Sequence, residues 1–324
     1  LEFAFEELYD DSRWEILNVP HDWIIKETPD SEYSGNEGFF PGGNAWYRKH
    51  FVVPKEDKNK SVILEFDCIY HRSDVYVNGV WLGHCSYGYT PLYYDLTPYI
   101  KFGLKNVIAV KVNTGGGTRW YAGGGIIRHV YLHTLNKLHV SHFGTFIKTT
   151  GLSENFANID VTTNINNSYS APVQFTLQTC IFNVDGNFVT RIKSNHSLLQ
   201  NSRDEFNQKI VLPNPELWDI YTPYLYFAIT EIILDYVTVD RYKTTFGIRT
   251  LEWNTQKGLL LNGRQIKVKG GNIHDDLGML GNAYNSRCWE RRLGTLKNMG
   301  FNEIRASHNL RPREMMDLFD RMGF

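Results

Sequence analysis

The last stretch of the chain, residues 266–324, constrains the fold most, because its apolar spacing changes back and forth between that of a strand and that of a helix. Residues 266–269 and 303–306 read as short strands, each followed by a polar loop and then a helix. Asn285 or Ser286 can cap the first helix; Trp289, Leu293 and Leu296 follow on one face, and Gly300 stands in the terminating position. Pro312 fits the first turn of the second helix, Met315, Leu318, Phe319 and Met322 form its apolar stripe, and Gly323 ends it. Strand and helix alternating in this way open a parallel sheet with crossover helices. If both strands belong to one (β/α)8 barrel, the clusters Gly270-Gly271-Asn272-Ile273-His274-Asp275-Asp276 and Ser307-His308-Asn309 lie side by side at the carboxyl-terminal rim, where barrel enzymes build their sites. Gly270 and Gly271 would let the backbone bend as it leaves the first strand.

Everything upstream reads as antiparallel β-structure. In a first domain, residues 1–137, segments 45–54, 61–66, 107–112 and 130–132 read as strands, and Asn78-Gly79 between Val75-Tyr76-Val77 and Val80-Trp81-Leu82 is a strong hairpin signal. Many short strands with turn signals mean a sandwich. A second domain, residues 138–249, alternates at 159–165, 173–182 and 229–234, carries a hairpin turn at Asp185-Gly186, and fits an immunoglobulin-like sandwich. A third, residues 250–324, starts with a hairpin through Asn262-Gly263 and holds two strand-helix units of a barrel. The glycine runs 115–117 and 123–125 lack the GxxxxGK[ST] pattern of a phosphate loop and read as bulges or tight loops. Arg119, Trp120 and Tyr121 between them are placed to form a polar-aromatic loop that reaches the barrel rim.

The charge balance, 34 basic against 35 acidic residues, argues against a generic nucleic-acid binder, since phosphate binding needs excess positive charge on one face. No apolar run reaches the roughly 18 residues a membrane span needs. There is no signal-peptide pattern at Leu1, and a start with Leu rather than Met leaves the compartment open. Cys68, Cys85, Cys180 and Cys288 show no metal-ligand spacing; Cys68 and Cys85 either pair or stay as free buried thiols. The 8 Trp and 19 Tyr suit stacking on sugar faces, although strand-rich domains use many aromatics anyway.

The segments HDDLGMLGNA, ERRLGTLKNMGFNEIRASHN and DLFDRMGF resemble the start of the catalytic barrel of family 2 glycoside hydrolases, and LGMLG and SHN are most similar to that family's β-galactosidases. Upstream, VPHDW, WYRKHFVVP, VYVNGVWLGHCSYGYTPLYYDLT, NVIAVKVNT and RWYAGGGIIRHVYL resemble its amino-terminal jelly-roll sugar-binding domain, and LPNPELWDIYTPYLY and FGIR its second domain. Two departures stand out: Asn113-Thr114 where the family more often has Asp-Asn, and Gly124 where it more often has Ala. Asn113 either reaches the sugar or caps a turn, and the turn is favoured.

The resemblance implies a mainly β chain, a jelly-roll and an immunoglobulin-like sandwich followed by two units of a TIM barrel, from a retaining glycosidase acting on terminal β-galactosides. β-Glucuronidase and β-mannosidase are the alternatives within the family, and a non-enzymatic carbohydrate-binding module is the alternative outside it. By the same resemblance, His274 and Asp276 line the pocket of the non-reducing sugar, Arg305 lies near the nucleophilic carboxylate, and His308 and Asn309 meet sugar hydroxyls. Asp275 stands where galactosidases often have a second histidine, and Leu310 where proline is usual. Each histidine alone would read as a satisfied strand-end residue; their shared rim location favours a substrate role. The family's two catalytic glutamates lie on later barrel strands, so no catalytic residue is expected here and the chain alone is expected to be inactive. Strands without barrel partners make self-association an expectation. No cofactor is evident, and a divalent or monovalent cation in a longer protein stays open.

Overall fold

The computed structural model describes residues 2–115 and 118–324, so Gly116 and Gly117 of the first glycine run lie outside the described residues. The chain divides into two compact units. One gathers the residues up to 134 with 271–295 and 304–316; the other holds 135–270, 296–303 and 317–324.

The first unit is built on a sandwich of β1 (Asn44–Val52), β2 (Ser61–Phe66), β3 (Arg72–Val77), β4 (Val80–Cys85), β5 (Leu92–Asp95), β6 (Lys105–Asn113) and β7 (Val130–Leu135). One sheet runs β1-β6-β3-β4 and the other β5-β2-β7. Alternation along the strands sends Val75, Val77, Ile108, Val110 and Val112 from one sheet and Val62, Leu64 and Phe66 from the other into a single core. At the β3–β4 hairpin Asn78 and Gly79 take φ of 49° and 82°, the positive values that this turn demands. Cys68 is buried and donates to the Gly88 carbonyl at 2.5 Å, and all four cysteines are free.

The second unit is built on β8 (Leu138–Leu152), β9 (Phe156–Asn167), β10 (Val173–Phe182), β11 (Phe188–Leu198), β12 (Ser202–Pro213), β13 (Tyr226–Leu234) and β14 (Val237–Phe246), in sheets β11-β10-β13-β14 and β12-β9-β8. Its interior is two apolar clusters, one around Ile159, Ile181 and Ile210, the other around Ile165, Leu177 and Phe206. The inward positions between them carry Thr163, Thr179, Gln208 and Thr230, all buried. The Gln208 amide is satisfied there by Thr179, Ser194 and the Leu177 carbonyl at 2.7–3.0 Å, as a buried polar group must be. A further hairpin of β15 (Leu251–Asn254), β16 (Gly258–Leu261) and β17 (Arg264–Gln265) turns at Asn262-Gly263, with φ of 51° and 74°.

Two strand-helix units follow: β18 (Gly270–Ile273), α1 (Ser286–Asn298), β19 (Glu303–Ala306) and α2 (Arg313–Met322). The Asn302 amide donates to the Lys269 carbonyl at 2.9 Å and the Ser307 amide to that of Ile273 at 3.2 Å, so the two strands advance together and are parallel. The Asn285 side chain caps α1 through the Cys288 amide at 3.1 Å. Gly300, at φ 89°, closes the helix with its own amide on Lys297 and that of Phe301 on Leu296, the paired bonds of a Schellman motif. No helix among the described residues is long and apolar enough to cross a membrane.

One expectation is corrected. The first barrel strand is Gly270–Ile273, four residues later than the alternation of Ile266 and Val268 indicates. Residues 266–269 are held instead by the side chain of Asn302, which accepts from the Lys269 amide at 2.8 Å and donates to the Lys267 carbonyl at 2.9 Å. Gly270 belongs to the strand rather than to a bend, because a Cβ there would lie 2.5 Å from the Glu303 carbonyl oxygen and would strike the Glu303 carboxylate. Gly270→Ala is therefore expected to lower stability by about 1–3 kcal/mol, read as a lower urea midpoint with unchanged slope.

Candidate functional site

Within the first unit, His274 follows β18 and His308 follows β19, and the rings lie with centroids 5.6 Å apart at 84°. Trp120, from the loop between β6 and β7, closes the corner, its centroid 5.0 Å from His274 and 5.6 Å from His308. The loop between the glycine runs thus reaches the rim. Arg305 donates from Nη1 to Asn272 Oδ1 at 3.0 Å and to Ser307 Oγ at 3.1 Å, and lies 3.3 Å from His308 Nδ1. The two Nη1 N–H bonds are shared among these three acceptors, and since an arginine only donates, His308 meets it with an unprotonated Nδ1 when neutral, its proton on Nε2. Asn309 accepts at Oδ1 from the Tyr87 hydroxyl at 2.6 Å, which leaves its Nδ2 to donate. Tyr87 comes from the segment after β4 and carried no sequence signal of a rim contact.

The adjacent carboxylates Asp275 and Asp276 occupy different places. Asp275 is mostly buried and pairs with Arg311 Nη1, with Arg128 Nη2 at 3.6 Å. Arg128 also donates to the Leu310 carbonyl at 2.6 Å, and Arg311 to those of Ile273 and Ser307. Burial and then the neighbouring Arg128 push the Arg311 guanidinium down to about 10. Asp275 is thus the counter-ion of two buried arginines beneath the rim loops. Asp276 is half-buried, and its backbone carbonyl takes Arg292 Nη1 at 2.9 Å. Burial lowers the His274 pKa, the positive fields of His308 and Arg311 lower it further, and Asp276 works against them.

The VPHDW segment supplies a contact that sequence reading missed. Asp22, 2% exposed, accepts at Oδ1 from the Ile24 and Gly124 amides at 3.1 and 2.9 Å, and at Oδ2 from the Tyr121 hydroxyl at 2.7 Å and the Asn282 amide at 2.8 Å. Asn282 returns a bond from Nδ2 to the Ala122 carbonyl at 2.5 Å. Gly123 and Gly281, at φ 70° and 59°, leave room for the carboxylate; a Cβ on either would strike Asp22 Oδ2. The LGMLG glycine at position 281 therefore serves this clasp.

Asn113 accepts from the Gly115 amide at 3.0 Å and donates to Asn44 at 2.9 Å, which are the bonds of a turn residue. The two departures from the family pattern meet in space: a Cβ on Gly124 would lie 2.5 Å from Thr114 Cγ2 and 2.6 Å from Ile24 Cδ1. The threonine methyl fills the space an alanine at 124 would need.

The corner offers ring faces, hydroxyl-directed donors and one uncommitted carboxylate, which is chemistry for holding a polyhydroxylated ring. Among the described residues no three His, Cys, Asp or Glu side chains converge to hold a metal ion.

Comparison with known proteins gives the same assignment to all three regions. Residues 37–139 match "Glycosyl hydrolases family 2, sugar binding domain", 138–249 "Glycosyl hydrolases family 2" and 254–324 "Glycosyl hydrolases family 2, TIM barrel domain". A beta-galactosidase of Bacteroides ovatus is 41% identical over 97% of this chain and 37% of its own length; a putative beta-glucuronidase of Formosa agariphila is 35% identical over 99% and 31%. The chain thus spans about a third of these relatives. The crystal structure of a family 2 member from Bacteroides cellulosilyticus superposes with a TM-score of 0.95 at 35% identity, covering 100% of this chain and 45% of that one. A calcium binding mutant of Bacteroides uniformis beta-glucuronidase 2, with two aspartates replaced by alanine, superposes with a TM-score of 0.86 at 26% identity, covering 99% and 39%.

Two outcomes follow. Asp275→Asn leaves two buried guanidinium groups facing each other and is expected to cost about 3–5 kcal/mol of stability by chemical denaturation. His274 is expected to titrate in NMR below the ordinary value of about 6.5; the unfolded chain then holds more protons in that window, so stability falls as pH drops through it.

Proposed function

Because this chain belongs to family 2 of the glycosyl hydrolases, we propose that it is the amino-terminal part of a longer retaining glycosidase that removes terminal β-galactosyl residues. The observation that carries the reading is the Trp120, His274 and His308 corner beside Arg305. An apolar sugar face lies on the Trp120 indole, His308 Nε2 and Asn309 Nδ2 donate to ring hydroxyls, and His274 with Asp276 closes the non-reducing side. Arg305 holds a fixed positive charge where the family's nucleophile works, favouring its ionised form. Asn113 stays in the β6 turn and does not touch the sugar.

Retaining hydrolysis needs two carboxyl groups about 5 Å apart, one protonating the leaving oxygen and one attacking the anomeric carbon. Asp275 is committed to its arginines, so the rim residues described offer Asp276 alone. In this reading both catalytic carboxyl groups come from barrel strands beyond β19, and the 324-residue chain builds one wall of the pocket without turning substrate over. The similarity to a beta-galactosidase at 41% identity favours galactosides, and the 35% identical putative beta-glucuronidase makes β-glucuronides the second reading.

The test is a panel of 4-nitrophenyl β-galactoside, β-glucuronide and β-mannoside. The full-length protein is expected to prefer the galactoside and the 324-residue chain to release no nitrophenol. Turnover by the short chain at ordinary enzyme rates, or full-length preference for the glucuronide, would contradict the proposal. Trp120→Ala in the full-length protein is expected to raise KM for the best substrate about tenfold or more, on the scale of one lost stacking contact.

A further inference from the structure

We propose that Asp22 is a positioning residue for sugar recognition, holding the Trp120 indole against His274 and His308 through Tyr121 and the turn at Gly123–Gly125. The inference rests on the function proposed above for Trp120, and it assigns a task to a buried carboxylate far in sequence from the rim. Asp22 lies 99 residues from Tyr121, 102 from Gly124 and 260 from Asn282, yet it takes a hydrogen bond from each. Tyr121 follows Trp120 directly, and Asn282 lies in the loop that runs from His274 to the Asn285 cap of α1. One anion therefore fixes both loops that meet at the ring corner.

The chemistry of the clasp is specific to a carboxylate. Two N–H groups converge on Oδ1, and one O–H and one N–H converge on Oδ2. An asparagine presents an acceptor on one edge only and would turn its own N–H2 toward donors on the other. The Tyr121 phenol is held protonated: burial raises its pKa, and the adjacent Asp22 charge raises it further, so it remains a donor throughout the working pH range. Its ring packs edge-on against Phe40, centroids 5.6 Å apart, which leaves the hydroxyl aimed at Asp22. The Ala122 carbonyl is tied to the Asn282 side chain as well, so the backbone just past Trp120 is held from both sides.

A residue that acts only through Trp120 makes a distinctive kinetic pattern. In the full-length enzyme, with whichever aryl β-glycoside it cleaves best, Asp22→Asn and Tyr121→Phe are each expected to raise KM by about tenfold while kcat changes far less. Combined with Trp120→Ala, neither should add to the KM of that variant, since the group being positioned is already gone. Tyr121→Phe removes one hydroxyl and keeps the ring, so it carries the test if Asp22→Asn does not fold. A second readout needs no substrate. In the 324-residue chain with 13C-labelled histidine, the Trp120 ring current should displace the His274 and His308 resonances, and Tyr121→Phe should move them toward their positions in Trp120→Ala.

If Trp120→Ala raises KM and Tyr121→Phe leaves both KM and the histidine resonances unchanged, the positioning role is overturned. Full additivity of Tyr121→Phe with Trp120→Ala overturns it equally. If Trp120→Ala leaves KM unchanged, the sugar-binding assignment of Trp120 fails, and with it the role in recognition, whereas the histidine resonances still report whether Tyr121 holds the indole in place.

Discussion

Asp22 carries a charge that is almost wholly removed from water, and its four hydrogen bonds come from three separate parts of the chain. A buried carboxylate without partners is costly, whereas one with both oxygens doubly satisfied is tolerated and leaves its donors little freedom. The geometry of the first unit follows from this. The lead-in segment fixes the Gly123–Gly125 turn, the turn fixes Trp120, and the same carboxylate holds Asn282 within the loop that starts at His274. Gly123 and Gly281 have no side chain because the carboxylate occupies the space where one would stand.

A second ionic centre supports the rim from below. Asp275 lies between Arg128 and Arg311, and these arginines hold the carbonyls of Ile273, Ser307 and Leu310. The loops after the two parallel strands are thereby tied to each other and to the β7 side of the sandwich. Neighbouring carboxylates in the sequence serve different ends: Asp275 neutralises buried cations, and Asp276 stays beside His274.

Local signals were legible in the sequence wherever one residue type meets one backbone requirement. Asn78-Gly79 and Asn262-Gly263 announced their hairpins because both positions need positive φ, and Asn285 and Gly300 announced the ends of α1. Apolar spacing located both helices and most strands of the sandwiches. The first barrel strand was misplaced because Gly270-Gly271 looks like a bend, and only the approach of Glu303 reveals why glycine is required within a strand. His274, His308 and Arg305 could be brought together from motif and rim position, and Trp120 from its place between glycine runs. The clasp could not, since nothing local to Asp22 indicates partners 99 to 260 residues away. Nor could Asp275 be told from Asp276, because the arginines that separate them come from β7's approach and from the loop before α2.

The central claim is that the sandwich loop and the barrel rim form one sugar pocket with Trp120 as its floor. The most direct measurement is a crystal structure of the full-length protein with 1-deoxygalactonojirimycin bound. The account predicts the inhibitor ring lying along the Trp120 indole at van der Waals distance, about 4 Å, with hydroxyls on His308 Nε2 and Asn309 Nδ2. An inhibitor bound at the rim with Trp120 out of contact, or bound away from His274 and His308, would contradict it.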